Sequence, residues 1–207
     1  MILTQKAKDA RIHARSRNRQ RAFTLIDTLV ALVIIGIVAG FAAPTVLTGV
    51  NNMRLRGAAS DFSGLVQRAR TVAVQSNATV TVLFNLPSGN GAYVDLPGGT
   101  SGSFDSATEP MIQFGGSVYK AAAPAGATGK PTNLDASGGP LGWTATSGNM
   151  SLNSRGFPCS GSPCTTNVNY VFYFSDYRYN GSQWAAVSIT AAGHPKTWWW
   201  NGSAWVN

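Results

Sequence analysis

FTLIDTLVALVIIGIVAGFAAPTVLTGV, residues 23–50, is an almost uncharged apolar run. Its single ionisable side chain is Asp27, and residues 28–53 carry no charge at all. About 20 apolar residues cross a bilayer as a helix, so this run is long enough to do so. A carboxylate at the centre of a membrane helix costs on the order of 3 kcal/mol and usually has a partner. A carboxylate at the membrane boundary costs less, so Asp27 could instead lie beside the lipid head groups.

The segment before the apolar run is strongly basic. Residues 1–22 hold seven Lys and Arg against Asp9, a net charge of 7 − 1 = +6, while the remaining residues hold 9 − 7 = +2. Such an arm can bind nucleic acid, but next to an apolar span it fixes topology by keeping the N-terminus in the cytoplasm. We therefore predict a basic leader over residues 1–22, and a periplasmic or extracellular location for everything that follows the span.

Beyond residue 46 the apolar pattern becomes amphipathic. Apolar side chains recur at spacings of three and four from Leu47 to Ala73, with polar residues between them. This period is typical of a helix with one buried face. The sequence predicts one helix from about Thr24 to Ser76, with a transmembrane half over residues 23–46 and an amphipathic half over residues 47–77. Asn77 is the expected stop.

Residues 78–207 change to a period of two, which predicts a β domain. The segment over residues 97–149 is rich in Gly, Ser and Pro and is predicted to be a loop-rich insertion. Two Asn-Gly pairs, in residues 179–184 and 200–205, predict two-residue hairpins. The predicted strands are 79–84, 92–96, 111–114, 117–120, 150–153, 167–175, 185–191 and 196–200. The fold class is α+β, with a long N-terminal helix packed on a C-terminal antiparallel β-sheet domain.

Several stretches resemble a known family. Residues 22–27, AFTLID, followed by the apolar run, resemble the prepilin N-terminus of type IV pilins and type II secretion pseudopilins. The stretches LVQRARTVA (65–73), NSRGFP (153–158) and the strand 186–190 running into Gly193 resemble the GspH/FimT subgroup. The resemblance covers the first 85 residues well and the last 60 moderately.

The resemblance implies a set of roles. A prepilin peptidase would cut between Ala22 and Phe23 and methylate the new amine of Phe23. Asp27 stands where the family carries a glutamate, and its carboxylate would pair with the terminal ammonium of a neighbouring subunit during assembly. The sequence departs from the family pattern at two positions. The family usually has glycine before the cleavage site, where this chain has Ala22, and the side chain of Asp27 is shorter than that of glutamate.

Cys159 and Cys164 enclose four residues in a chain segment expected to lie in an oxidising compartment. We predict a small structural disulfide, and a metal site is not expected because no His or Cys partner lies near the pair. Closing so short a loop stabilises by roughly 2 kcal/mol in the chain-entropy model.

The segment Gly193-His194-Pro195-Lys196 lies at the position where DNA-uptake members of the FimT group carry a sequence similar to Gly-Arg-x-Arg. Here one arginine is replaced by His194 and the other by Lys196, so the attraction to phosphate should be weaker. Arg155, Arg178 and Lys130 could add to such a patch if the fold brings them together, and a solvated turn is the alternative.

Three tryptophans, Trp198 to Trp200, are consecutive. In a strand Trp198 and Trp200 would face one way and Trp199 the other. One face would pack on the long helix. The other could stack bases, with Trp198 as the candidate, or be buried against a neighbouring subunit or in the core of the domain.

The sequence contains no phosphate loop, zinc pattern or nucleophile elbow, so no catalytic residue, cofactor or metal is predicted. The predicted function is that of a minor pilin or pseudopilin, a structural subunit of a type IV pilus or a type II secretion pseudopilus. It would be a single-pass inner-membrane protein, with a cytoplasmic N-terminus, before it enters the filament. Its partners would be other pilins or pseudopilins, the prepilin peptidase, the inner-membrane assembly platform and membrane lipid. Two alternatives are a DNA-binding minor pilin for DNA uptake and a membrane-tethered extracytoplasmic enzyme.

Overall fold

A computed structural model describes residues 24–84, 86, 89–98, 102–122, 143–145, 148–161, 163–179, 183–200 and 204–207. The chain divides into two compact units, Met1–Thr45 and Val46–Asn207. Ala22 and Phe23, the predicted cleavage site, lie outside the described residues. The same holds for most of the predicted insertion between residues 122 and 143, and for the Asn-Gly pairs of both predicted hairpins.

The long predicted helix is present as α1, Leu25–Ser76. Its end is set by Asn77, which adopts the left-handed conformation with φ of 47°. The amide of Ala78 then donates to the Ala73 carbonyl at 3.2 Å, which satisfies one of the last free carbonyls of the helix. Asn77 is therefore the helix stop that the sequence predicts.

In the first unit the described residues are helical from Leu25 onward. Every side chain from Leu25 to Ala42 is exposed, including Ile26, Leu32 and Phe41. By length and composition, α1 is the one helix among the described residues that could cross a membrane. An apolar surface of this extent is not stable in water, so it requires lipid or protein around it.

The second unit contains two antiparallel-rich sheets that share a core with α1. The first has the order β3-β2-β1-β6-β7-β8 and the second the order β12-β11-β10-β9-β4. The strands of the first sheet are β1 Val80–Leu83, β2 Gly91–Asp95, β3 Met111–Gln113, β6 Met150–Leu152, β7 Pro158–Ser160 and β8 Thr166–Asn167. Those of the second are β4 Val118–Ala121, β5 Trp143–Ala145, β9 Asn169–Asp176, β10 Trp184–Ile189, β11 Pro195–Trp200 and β12 Trp205–Val206. A short 3-10 turn, Tyr177–Tyr179, follows β9.

Phe62 lies at the centre of the core between α1 and both sheets. Its ring centroid lies 5.1 Å from that of Phe84, 4.9 Å from that of Phe172 and 5.4 Å from that of Phe174. The buried residues of α1 recur at helical spacing, and they include Leu55, Ala58, Ala59, Phe62, Leu65, Val66, Ala69 and Ala73. The predicted packing of a long helix on a β domain is thereby confirmed.

The opposite face of the second sheet is also buried. A second cluster contains Val171, Tyr173, Ala186, Trp198 and Trp205. All eight residues of β9 are buried, so this strand is covered on both faces. Burial raises the pKa of Tyr173 to about 12.

The structure corrects the strand predictions in three places. The predicted insertion contributes β3 and β4, as expected at 111–114 and 117–120, but they belong to the two sheets rather than to a separate segment. Strands β5, β7, β8 and β12 were not among the predicted strands. β5 pairs with β9 in parallel, so the domain is not wholly antiparallel.

The two hairpins form, but their connections are longer than the predicted two residues. β9 ends at Asp176 and β10 begins at Trp184, while Trp200 pairs directly with Trp205. In the first hairpin the longer connection contains the 3-10 turn, whose Arg178 pairs with Asp176.

Candidate functional site

The start of α1 is organised by a reciprocal contact between Thr24 and Asp27. Asp27 Oδ2 accepts hydrogen bonds from the Thr24 amide at 3.0 Å and from the Thr24 hydroxyl at 2.8 Å. The Asp27 amide in turn faces Thr24 Oγ1 at 3.4 Å. This is a capping box, in which a hydroxyl residue and an acid three positions later satisfy free donors at a helix start. No cation in the described part of the chain pairs with this carboxylate.

A partly buried polar network joins α1 to the end of β9. Arg178 Nη2 donates to Asp176 Oδ2 at 2.9 Å and to Asn51 Oδ1 at 2.7 Å. The Ser117 hydroxyl donates to the same Asp176 oxygen at 2.6 Å. The hydrogen bonds from Arg178 lower the pKa of Asp176 to about 2, although burial opposes this shift.

The two loops that carry the family resemblance meet at Arg70 of α1. A Cβ built on Gly156 would lie 2.6 Å from Arg70 Cγ, and one built on Gly193 would lie 2.8 Å from the Gly156 carbonyl oxygen. Both glycines have φ in the left-handed region, at 76° and 79°. Only glycine fits here without a shift of the backbone or of Arg70, since neither the space nor the conformation admits a Cβ.

The turn that carries Arg155 is held by its own side chains. Asn153 Oδ1 accepts hydrogen bonds from the amides of Arg155 and Phe157, both at 3.0 Å. The amide of Gly193 donates to the Thr190 carbonyl at 2.7 Å and shapes the second loop. The sequence stretches 65–73 and 153–158 and the strand that runs into Gly193 thus converge on one surface.

Of the predicted DNA-binding residues, Arg155 and His194 are brought together. Both are exposed, and they flank the contact between Gly156 and Gly193. Arg178 does not join them, because it bonds to Asn51, which lies 19 residues from Arg70 along α1, or about 28 Å. A single patch containing Arg178 and His194 is therefore a wrong prediction.

Lys196 and Trp198 form a pair of their own. Lys196 Nζ lies 4.4 Å from the ring centroid of Trp198. Trp198 itself has no solvent exposure, and its indole N–H donates to Ser188 Oγ at 2.9 Å. The hypothesis that Trp198 stacks on bases is wrong, because a fully buried ring presents no face to a ligand.

The alternation of the three tryptophans is confirmed. Trp199 packs against the core that contains α1, and the Arg56 guanidinium lies 5.1 Å from its ring centroid. Trp198 and Trp200 belong to the cluster on the opposite face.

Cys159 and Cys164 form the predicted disulfide, with their Cα atoms 5.4 Å apart. It joins β7 to the segment that leads into β8. The Tyr170 hydroxyl donates to the Cys159 carbonyl at 2.7 Å and links this edge of the first sheet to β9 of the second. The disulfide is therefore a structural element of the sheet edge.

Two residues of these sites were not singled out from the sequence. Asn51 is polar at a core-facing position, four residues before Leu55, and this mismatch is the signal that could have identified it. Arg70 lies in one of the stretches that carry the resemblance, but its partner glycines are distant in sequence and nothing local indicates the contact.

The fold and the start of α1 together define a class: a β domain carried on one long helix with a prepilin-type beginning. Residues 17–43 match the family described as "Prokaryotic N-terminal methylation motif". The predicted type IV pilin-like N-terminus is thereby confirmed, and it indicates membrane anchoring.

Two solved structures are similar to this chain, both of the type IV minor pilin FimU from Pseudomonas aeruginosa strain PAO1, in different crystal forms. The alignment with one of them covers 74% of this chain and 92% of the FimU chain, with a TM-score of 0.44 and 15% identity. The other has a TM-score of 0.42 at 15% identity and covers 74% and 98%. No curated protein matches the chain.

Proposed function

We propose that this chain is a minor pilin or pseudopilin of the GspH/FimT type, a structural subunit of a type IV pilus or a type II secretion pseudopilus. The observation that carries the proposal is the methylation motif over residues 17–43, which includes the start of a helix whose apolar side chains are all exposed up to residue 42. Such a surface fits storage in a membrane and later burial among other helices.

In this proposal the leader, residues 1–22, keeps the N-terminus in the cytoplasm and the β unit lies in the periplasm. A prepilin peptidase cuts between Ala22 and Phe23 and methylates the new amine of Phe23. The inner-membrane assembly platform then moves the subunit out of the lipid into contact with other pilins or pseudopilins.

Asp27 is the residue proposed to align subunits. Both hydrogen bonds from Thr24 fall on Oδ2, and Oδ1 accepts none from the described residues. A carboxylate held at the first turn of the helix, at bilayer depth, is strongly stabilised by an opposite charge. The terminal ammonium of an adjacent subunit supplies that charge in one axial register.

The test compares incorporation of Asp27→Ala and Asp27→Glu into the filament. Asp27→Glu is the matched control, because it keeps the charge and restores the residue that the family carries. We expect Asp27→Ala to accumulate in the membrane and to be absent from sheared filaments, whereas Asp27→Glu is incorporated. Equal incorporation of both variants and the parent would contradict the role of Asp27.

A second candidate function, DNA binding, is favoured by the surface around Arg70. Arg155 and His194 are exposed beside it, and within the described residues no acidic side chain pairs with any of the three. Arginine side chains contact phosphates and give salt-dependent affinity, and a histidine side chain can hydrogen-bond beside them.

Gel shifts at low and moderate salt test this candidate. Arg155→Ala should weaken binding, while Arg54→Ala serves as the control, because Arg54 is an exposed arginine about 24 Å from Arg70 along α1. Absence of any shift at low salt removes the candidate and leaves the structural function untouched.

A further inference from the structure

We propose that one surface of the β unit rests on the lipid head groups of the bilayer while the subunit is stored in the membrane. This surface, called the base below, consists of Arg54, Arg56, Tyr177, Trp184, Trp199, Trp200 and Val206. The inference rests on the membrane anchoring proposed above and adds to it a second contact with lipid, made by the folded unit rather than by the span.

The first argument is the exposed apolar surface of α1 at the start of the β unit. Exposure of large apolar side chains continues beyond Thr45, with Val46 at 61%, Leu47 at 61%, Val50 at 42% and Met53 at 73%. Residues 28–53 carry no charge, so the uncharged apolar run of the sequence continues into the β unit as far as Met53. An exposed apolar surface of this kind requires lipid or protein around it.

The first charged side chain after Asp27 follows directly, and it is Arg54. Arg56 lies two residues on, and both side chains are exposed. Arginines that directly follow an exposed apolar helical surface fit lipid phosphates, because arginine binds anionic oxygens in a fork geometry.

The second argument is the concentration of aromatic rings at the same level of the helix. Trp184, Trp199, Trp200 and Val206 line one shallow depression together with Asn52, Leu55, Arg56 and Gln183. Tyr177 is 61% exposed, and it adjoins Arg178, which bonds to Asn51 of α1. Tryptophan and tyrosine are enriched where a protein meets the membrane–water interface, since their rings have an apolar body and a polar edge.

The third argument is charge. Arg54 and Arg56 give the base a charge of +2. Beside it, Arg178 and Asp176 pair with each other, and the Asp176 side chain is fully buried. The other acidic residues in the described part of the β unit lie outside the base. Asp61 follows Arg54 by seven residues, or about 10 Å along α1. Asp95 is the last residue of β2, where it pairs with Thr81. Asp105 and Glu109 lie in the loop that follows this end of β2. The base is therefore a positive, aromatic surface, which fits anionic lipid head groups.

Tryptophan fluorescence tests this directly, because the six tryptophans all lie at or after residue 143 and none lies in the span. The full chain is inserted into nanodiscs at one copy per disc, so that no second copy can cover the base. The discs contain phosphatidylglycerol and a lipid with a nitroxide on either its head group or the end of its acyl chain. We expect the head-group nitroxide to quench the emission more strongly than the chain-end nitroxide.

Two variants assign the quenching to the base. The triple variant Trp184→Phe, Trp199→Phe, Trp200→Phe should lose most of the quenching by the head-group nitroxide. The control Trp198→Phe removes a fully buried indole from β11 and should retain this quenching. Arg54→Glu with Arg56→Glu should reduce quenching in phosphatidylglycerol discs and leave little difference from the parent in zwitterionic discs.

Two results together would overturn this inference and leave the anchoring intact. The head-group nitroxide would leave the tryptophan emission unchanged, and the protein would resist extraction by alkaline carbonate. Chain that is extracted by carbonate would overturn both the anchoring and the contact of the base with lipid. The two failures are therefore distinguishable.

Discussion

Arg178 and Asp176 form a salt bridge in which Arg178 Nη2 lies 2.9 Å from Asp176 Oδ2, while the Asp176 side chain has no solvent exposure. The same nitrogen donates to Asn51 Oδ1 at 2.7 Å. Since Asn51 belongs to α1 and Asp176 ends β9, this contact fixes the helix to the sheet at the level of the base.

Replacing Asp176 by Asn should destabilise the β unit by about 2 kcal/mol, because the buried carboxylate loses its charge-assisted hydrogen bonds while the partly exposed Arg178 can hydrate. Urea unfolding of the detergent-solubilised chain measures the change. Asp61→Asn is the control, since Asp61 is exposed, and its effect should stay within about 0.5 kcal/mol. If Asp176→Asn also lowered the free energy of unfolding by only about 0.5 kcal/mol, the salt bridge would not be important for stability.

Acid should destabilise the unit through the same group. Hydrogen bonds from Arg178 lower the folded-state pKa of Asp176 to about 2, whereas an unfolded aspartate titrates near pH 4. A lowered pKa contributes stability above the unfolded pKa, and that contribution is lost as the pH falls from about 4 to about 2. The free energy of unfolding measured across this interval should fall less steeply in Asp176→Asn. Parallel curves for the two proteins would show that another group controls acid stability.

Gly193→Ala should destabilise the unit by about 2–3 kcal/mol, since it combines a left-handed backbone with a contact to the Gly156 carbonyl. Gly102 is a matched control, because its φ is also 79° but a Cβ there would meet nothing within 4 Å. Gly102→Ala should cost only the conformational part, about 1 kcal/mol. Thermal unfolding of the two variants compares them, and equal losses would mean that the close approach at Arg70 contributes nothing.

Removal of the disulfide should lower stability by about 2 kcal/mol, the value for closing a loop of this length in the chain-entropy model. The variant is Cys159→Ala with Cys164→Ala, measured by urea unfolding. Adding a reductant should shift the parent toward the double variant and leave the double variant unchanged. A parent that is insensitive to reductant even when unfolded would show that the cysteines are not paired.

The helix was predictable nearly to the residue, because the apolar run, the change to an amphipathic period and Asn77 each leave a local signal. Strands β5, β7, β8 and β12 were not predicted as strands, since two or three residues are too few to show alternation. Trp198 shows a different limit. The sequence gives the alternation of the three rings, but the cover over each face comes from residues distant along the chain. For the same reason the contacts of Arg70 with Gly156 and Gly193, and of Asn51 with Arg178, follow only from the fold.

Mass spectrometry of the N-terminus of the membrane-extracted protein tests the central claim most directly. If the chain is a processed pilin-like subunit, the mature protein begins at Phe23 and carries one methyl group on its amine, and a strain without prepilin peptidase yields the chain with residues 1–22 attached. A mature chain that retains the leader in the presence of the peptidase, or that begins at another residue without methylation, would contradict the account.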